Sequence, residues 1–164
     1  MSRRTWLARA AGLAAGGVVV GIVGERVFAL RGTNGPAPAA AGATVATVYA
    51  NESCGCCHSW MDHLRKAGFD VQVHYVADVT EYKKQYQVPP SLWSCHTARI
   101  GAYTIEGHVP ADVITAVLAG HNSVAGLAVP GMPVGAPGME GPNPQPYQVV
   151  AFTADGGTSV YAER

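Results

Sequence analysis

From residue 44 onward the apolar positions switch between a spacing of two and a helical spacing, and the switches mark out short strands alternating with helices. Thr44-Val45-Ala46-Thr47-Val48-Tyr49-Ala50 is brief and rich in β-branched residues, as a buried strand is. Asn51-Glu52-Ser53 turns the chain. Cys57, Trp60, Met61, Leu64 and Ala67 then recur at helical spacing while His58, Ser59, Asp62, His63, Arg65 and Lys66 take the other face, which predicts an amphipathic helix ended by Gly68. Val71, Val73 and Tyr75 alternate with Gln72 and His74, the pattern of a strand with one face covered. Thr80 is expected to cap a short helix that runs through Tyr86 and stops before Val88-Pro89-Pro90.

In the second half, Thr97 to Ile105 reads as one or two strands bent near Gly101. Pro110 is expected to open a third helix, with Val113, Ile114, Val117 and Leu118 as its apolar stripe and Gly120 as its stop. A Gly/Pro-rich loop is expected from Gly126 to Pro146, and the chain closes on a hairpin, Tyr147 to Thr153 and Thr158 to Tyr161 around Ala154-Asp155-Gly156-Gly157. This order, with a C-x-x-C pair (Cys54, Cys57) at the first strand-to-helix turn, predicts a thioredoxin-like α/β domain over residues 44–164 with an added C-terminal β-hairpin.

Residues 1–43 follow neither spacing. Ser2-Arg3-Arg4-Thr5-Trp6-Leu7, the weakly apolar Gly/Ala-rich stretch Ala10 to Val23, and charges at Glu25 and Arg26 resemble a twin-arginine export signal, with Trp6 where Phe is commoner. That stretch of 14 residues is short for a membrane span, which needs about 20. The expectation is therefore a signal cleaved in the small-residue linker Ala37 to Ala43, with membrane attachment only through the N-terminal segment if it is left uncleaved. The domain is expected to work outside the cytoplasm, periplasmic or otherwise extracytoplasmic, by a route that carries folded cargo.

Charge narrows the function. The formal net charge is +0 and charged residues make up 13% of the chain, so no basic field exists to hold nucleic acid. The acidic residues form no evident pair for acid–base catalysis, and the glycines of Gly12 to Gly24 belong to the export signal rather than to a phosphate loop. What remains is sulfur. Three cysteines fall within Cys54-Gly55-Cys56-Cys57, where the positive end of the helix dipole favours thiolates, and the fourth, Cys95, is followed by His96.

Cys54-Gly55-Cys56-Cys57-His58-Ser59-Trp60, Ser94-Cys95-His96-Thr97-Ala98, Glu106-Gly107-His108-Val109-Pro110-Ala111, Gly126-Leu127-Ala128-Val129-Pro130-Gly131-Met132-Pro133 and Gly135-Ala136-Pro137-Gly138-Met139-Glu140 resemble, in order, the motifs of the uncharacterised-domain family numbered 411. Its members are small bacterial metal-binding proteins related to periplasmic copper-resistance proteins. The resemblance spans about residues 45 to 161. It implies a thioredoxin-like fold whose clustered cysteines hold copper, with a role in copper resistance or handling and other copper-handling proteins as possible partners.

The residue types point the same way, because soft thiolates and thioethers select Cu(I) over hard cations. The expected ligand set is Cys54, Cys56, Cys57, Cys95 and His96, with His108, Met132 and Met139 as further candidates, and more than one Cu(I) ion could be held. Zinc is the competing metal, since Cys54, Cys57, Cys95 and His96 would make an acceptable tetrahedron. It would leave Cys56 spare. His108 could equally make a structural hydrogen bond, and Met132 and Met139, each after a glycine in a loop too apolar to be solvated, could simply fill gaps. Met61 is expected in the core; His58 and His63 are expected in solvent, His74 facing out, and His121 capping a helix end. The rival functions are a thiol–disulfide oxidoreductase, Cys54 attacking and Cys57 resolving, and a disulfide-stapled scaffold. The scaffold is the weakest, because three cysteines within four residues close almost no loop.

Overall fold

The computed structural model describes residues 42–120 and 123–164; residues 1–41, on which the expected export signal falls, and His121, expected to cap a helix end, lie outside the described residues. The elements run β1 (Val45–Ala50), α1 (Gly55–Lys66), β2 (Asp70–Tyr75), α2 (Thr80–Gln85), a 3-10 turn (Pro90–Leu92), β3 (Thr97–Ile100), β4 (Tyr103–Gly107), α3 (Ala111–Ala119), β5 (Gly126–Val129), β6 (Gln148–Phe152) and β7 (Thr158–Glu163). Among the described residues the seven strands join one mixed sheet in the order β2-β1-β3-β4-β5-β6-β7. The two parallel pairs, β1 with β2 and β4 with β5, are each linked by a helix, α1 and α3 respectively, as parallel pairing requires. The other neighbours are antiparallel. Among the described residues no helix is long and apolar enough to cross a membrane.

Strand alternation divides the sheet into two faces. Ala46, Val48, Ala98, Ile100 and Ile105 point into the main core with Trp60, Met61 and Leu64 of α1 and Val113, Ile114 and Val117 of α3. On the opposite face Tyr49 stacks on Tyr82 of α2 at 4.0 Å between ring centroids, and Tyr86 sets its hydroxyl 3.1 Å from that of Tyr49. A smaller cluster of Val88, Leu92, Ala128 and Phe152 extends this second layer.

Several local expectations are corrected. The segment expected to be all loop from Gly126 to Pro146 begins with β5, four fully buried residues between β4 and β6. With no polar positions a central strand shows no alternation. Gly126 is required there, because a Cβ would lie 2.1 Å from the Thr104 carbonyl oxygen. Thr80 does not cap α2 but is its first residue, and its N–H is taken by the Asp78 carboxylate at 2.8 Å. Pro110 is displaced the opposite way, the N-cap of α3 rather than its first residue. Ala67 is exposed as the α1 C-cap, and Tyr75 is half exposed because β2 is an edge strand. Gly68 does end α1, at φ +93°, and the turn at Gly101 (φ +58°) folds β3 onto β4.

Strand direction assembles the site. β1 and β4 point the same way, β3 opposes both, and β5 follows β4. The ends of β1, β4 and β5 and the start of β3 therefore share one edge of the sheet. That edge carries the cysteine loop, Cys95-His96, His108 and the loop after β5.

Candidate metal centre

Cys54 is the N-cap of α1, which places Cys56 and Cys57 in its first turn, where unpaired backbone N–H groups and the helix dipole favour negative sulfur. Cys57 faces the core and is fully buried, while Cys54 and Cys56 are half-buried. The sulfurs of Cys54, Cys56, Cys57 and Cys95 all lie within 4.8 Å of one another. Cys54 and Cys57 are joined as a disulfide; Cys56 and Cys95 are free thiols, with the Cys56 sulfur 3.6 Å from that of Cys54.

Cys95 also belongs to a second group. Its Sγ lies 3.2 Å from Nδ1 of His96 and 3.1 Å from Nε2 of His108, and the three donor atoms lie within 4.8 Å of one another. His108 is thus brought into the site that its sequence position left open. Its Nδ1 lies 2.7 Å from the Pro137 carbonyl oxygen, which can only accept, so Nδ1 carries the proton and Nε2 presents its lone pair to Cys95. His96 is fully buried against the Trp60 ring at 4.3 Å, and its Nε2 is buried without a hydrogen-bond partner. Trp60 is fixed in turn by its Nε1–H donating to the Val109 carbonyl at 2.9 Å.

Burial governs the protonation of this pocket. It holds His96 well below the ordinary imidazole range, reinforced by His108 and Lys83, and it lowers His108 as well, against the opposing pull of the Pro137 carbonyl. Burial, with Cys56 nearby, pushes the Cys95 thiol up to about 12. Neutral imidazoles beside a protonated thiol form a site ready to bind a cation once the thiol proton is released.

The loop after β5 closes against the helix that bears the cysteines. Gly138, at φ +81°, lies so close to α1 that a Cβ would stand 2.6 Å from the Trp60 nitrogen and 2.9 Å from the Cys56 carbonyl oxygen. Met139 packs against the main core, whereas Met132 is 40% exposed. The expectation of a loop too apolar for solvent is corrected at Met132: Gly131 and Met132 both have positive φ and form an outward turn. His63, expected in solvent, is corrected too, since its Nε2 accepts the Ala111 N–H at 3.0 Å and so ties α1 to the start of α3. His58 is half-buried beside Tyr75, with Nε2 unpartnered, and His74 is exposed as expected.

The sequence reading missed the support beneath the site. Lys83 and Glu106 are buried and paired at 2.5 Å, and burial raises the Glu106 carboxyl against the opposing attraction of Lys83. Lys83 sits in Thr-Glu-Tyr-Lys-Lys-Gln, which reads as a solvated helix, so periodicity gave no sign of it. Pro137 contributes only a carbonyl, which no residue pattern reports.

The description "Protein of unknown function, DUF411" matches residues 92–139, which include Cys95, His96 and His108. Two solved structures are similar over nearly their whole length. "Copper resistance protein copG- Form 2" is 43% identical, with a TM-score of 0.71 over 74% of this chain and 98% of the other. "Copper resistance protein copG- Form 1" is 44% identical, with a TM-score of 0.69 over 73% of this chain and 96% of the other. No curated protein sequence matches.

Proposed function

The chain belongs to the DUF411 family and is a relative of copper resistance protein copG, and from that premise we propose that it is an exported protein that holds copper as Cu(I) for copper resistance or handling. The observation that carries this reading is the gathering of four cysteine sulfurs within 4.8 Å, with Cys95 shared by a cysteine–histidine–histidine group. The donor set fits the metal: thiolate sulfur and neutral imidazole suit Cu(I), and no carboxylate enters either group. The fixed tautomer of His108, which turns its Nε2 lone pair to Cys95, and the approach of His96 Nδ1 to the same sulfur are further signs of a site built for a cation.

In the reduced protein Cys54, Cys56, Cys57 and Cys95 would supply thiolates, and His108 a lone pair at Nε2. Bound copper supplies a soft cation able to share sulfurs, which gives Cys56 a purpose that a single tetrahedral zinc would not. Met139 is the thioether better placed to join, because its loop packs on α1. The frame we infer is thioredoxin-like: β1-α1-β2 followed by the β3-β4 hairpin and α3, with β5, β6 and β7 added on one side. Export rests on the twin-arginine pattern of the N-terminal segment.

The test is copper retention. The domain from about residue 44, purified reduced and without oxygen, is expected to keep Cu(I) against a moderate chelator, and Cys57→Ser to lose it; a reduced wild-type protein that retains no copper would overturn the reading. One observation favours a second reading. The Cys54–Cys57 disulfide is the oxidised form of a C-x-x-C dithiol, so thiol–disulfide exchange can accompany metal binding. Reduction of a disulfide substrate that depends on Cys54 but not on Cys95 would support it.

A further inference from the structure

Cys95 is the sulfur common to both donor groups, yet it lies just outside β3, where no strand ladder holds it. Two hydrogen bonds to β4 bracket it. On its C-terminal side, the Gly107 N–H donates to the His96 carbonyl at 3.0 Å. On its N-terminal side, the Ser94 N–H donates to Oε1 of Glu106 at 2.6 Å, a side chain standing in for the missing backbone partner. Ser94 also packs on Gly107, where a Cβ would come 2.5 Å from its Oγ.

We propose that Glu106 is a positioning residue for the metal donors, with Lys83 as its buried counter-ion: its carboxylate clamps the Ser94 N–H and so sets where Cys95 stands relative to His96 and His108. The carboxylate itself is fully determined. Oε1 accepts from Lys83 Nζ at 2.5 Å as well as from Ser94, and Oε2 accepts from the Thr97 hydroxyl at 2.7 Å. Thr97 is the cross-strand partner of Glu106, and Lys83 Nζ also reaches the Thr97 hydroxyl at 3.2 Å. Lys83 is delivered by α2, which the stacking of Tyr82 on Tyr49 fixes to the sheet. A buried ion pair is no efficient way to stabilise a fold, since apolar residues of similar volume usually do as well. Its geometric consequence is specific, however: His108 follows Glu106 by two residues, one position past the end of β4, and Cys95 follows Ser94 by one, so a single carboxylate registers both halves of the donor group.

The inference rests on the copper reading for its meaning but not for its test. In copper-free, reduced protein, Lys83→Met/Glu106→Leu is expected to keep the fold while Cys95 alkylates several-fold faster, followed peptide by peptide by mass spectrometry. Lys83→Met/Glu106→Gln keeps an oxygen for the Ser94 N–H and should restore the slow rate. With Cu(I) added, the Leu variant should bind roughly 10–100-fold more weakly, the usual effect of removing outer-shell support, and the Gln variant should recover. A folded Leu variant with wild-type Cys95 reactivity would overturn the proposal. So would a fast-exchanging Ser94 amide in the wild-type protein, a measurement that needs no variant to fold. If the wild type takes up no copper, the proposed function falls, while the alkylation and exchange results still decide the clamp.

Discussion

His108 shows how much one side chain can be asked to do. Its Nδ1–H is spent on the Pro137 carbonyl and its Nε2 lone pair faces Cys95, so one ring joins the loop after β5 to the sulfur group. His108→Phe keeps the ring and removes both bonds, leaving the Pro137 carbonyl without its donor. The expected loss of stability in the copper-free protein is about 1–3 kcal/mol, the penalty for an unsatisfied buried polar group. Urea unfolding measures it, and a change below a few tenths of a kcal/mol would mean the carbonyl finds water instead. At this scale the sequence picked out the sulfurs and His96, left His108 open between ligand and structural hydrogen bond, and misplaced His63 in solvent. Cysteines within four residues are close whatever the fold, whereas His63, His96 and His108 differ only in surroundings that the fold supplies.

At the scale of elements, α1 and the loop after β5 form one unit. The loop makes its own turns, with Gly135 N–H donating to the Met139 carbonyl at 2.9 Å, and then lays the bare Cα of Gly138 on the α1 backbone. Gly138→Ala combines a disfavoured positive φ with a collision against backbone atoms that cannot move aside. It should destabilise the domain by about 1–3 kcal/mol, visible as a lower thermal midpoint, and withdraw the Pro137 carbonyl from His108. An unchanged midpoint would show that the contact is loose. Amphipathic elements such as α1 and the β6–β7 hairpin were legible because one face meets water. β5 was not, because both of its faces are covered and it carries no alternation to read.

For the whole molecule, acid is the lever. Burial depresses His96, His108 and the half-exposed His63 in the folded protein. A depressed imidazole stays neutral when folded while the unfolded chain takes up a proton, so its contribution is complete above the ordinary value of about 6.5 and declines as pH falls below it. Copper-free, reduced protein should therefore lose stability from pH 6.5 downward, by about 1.4 kcal/mol per pH unit for each histidine protonated only when unfolded. His63 should contribute less because solvent screens it. Urea midpoints at pH 7.5, 6.0 and 5.0 give the check, and equal midpoints would contradict it. The sequence by itself determined that the cysteines cluster, that strands and helices alternate, and that the first cysteines sit at a helix start, because these are local properties of spacing and residue type. Only the tertiary structure decided which nitrogens join the sulfurs, since antiparallel β3 brings Cys95 and His96 back to the edge where β1 and β4 end. It alone placed a lysine–carboxylate pair beneath them, because burial is a property of the assembled sheet and not of a six-residue polar helix.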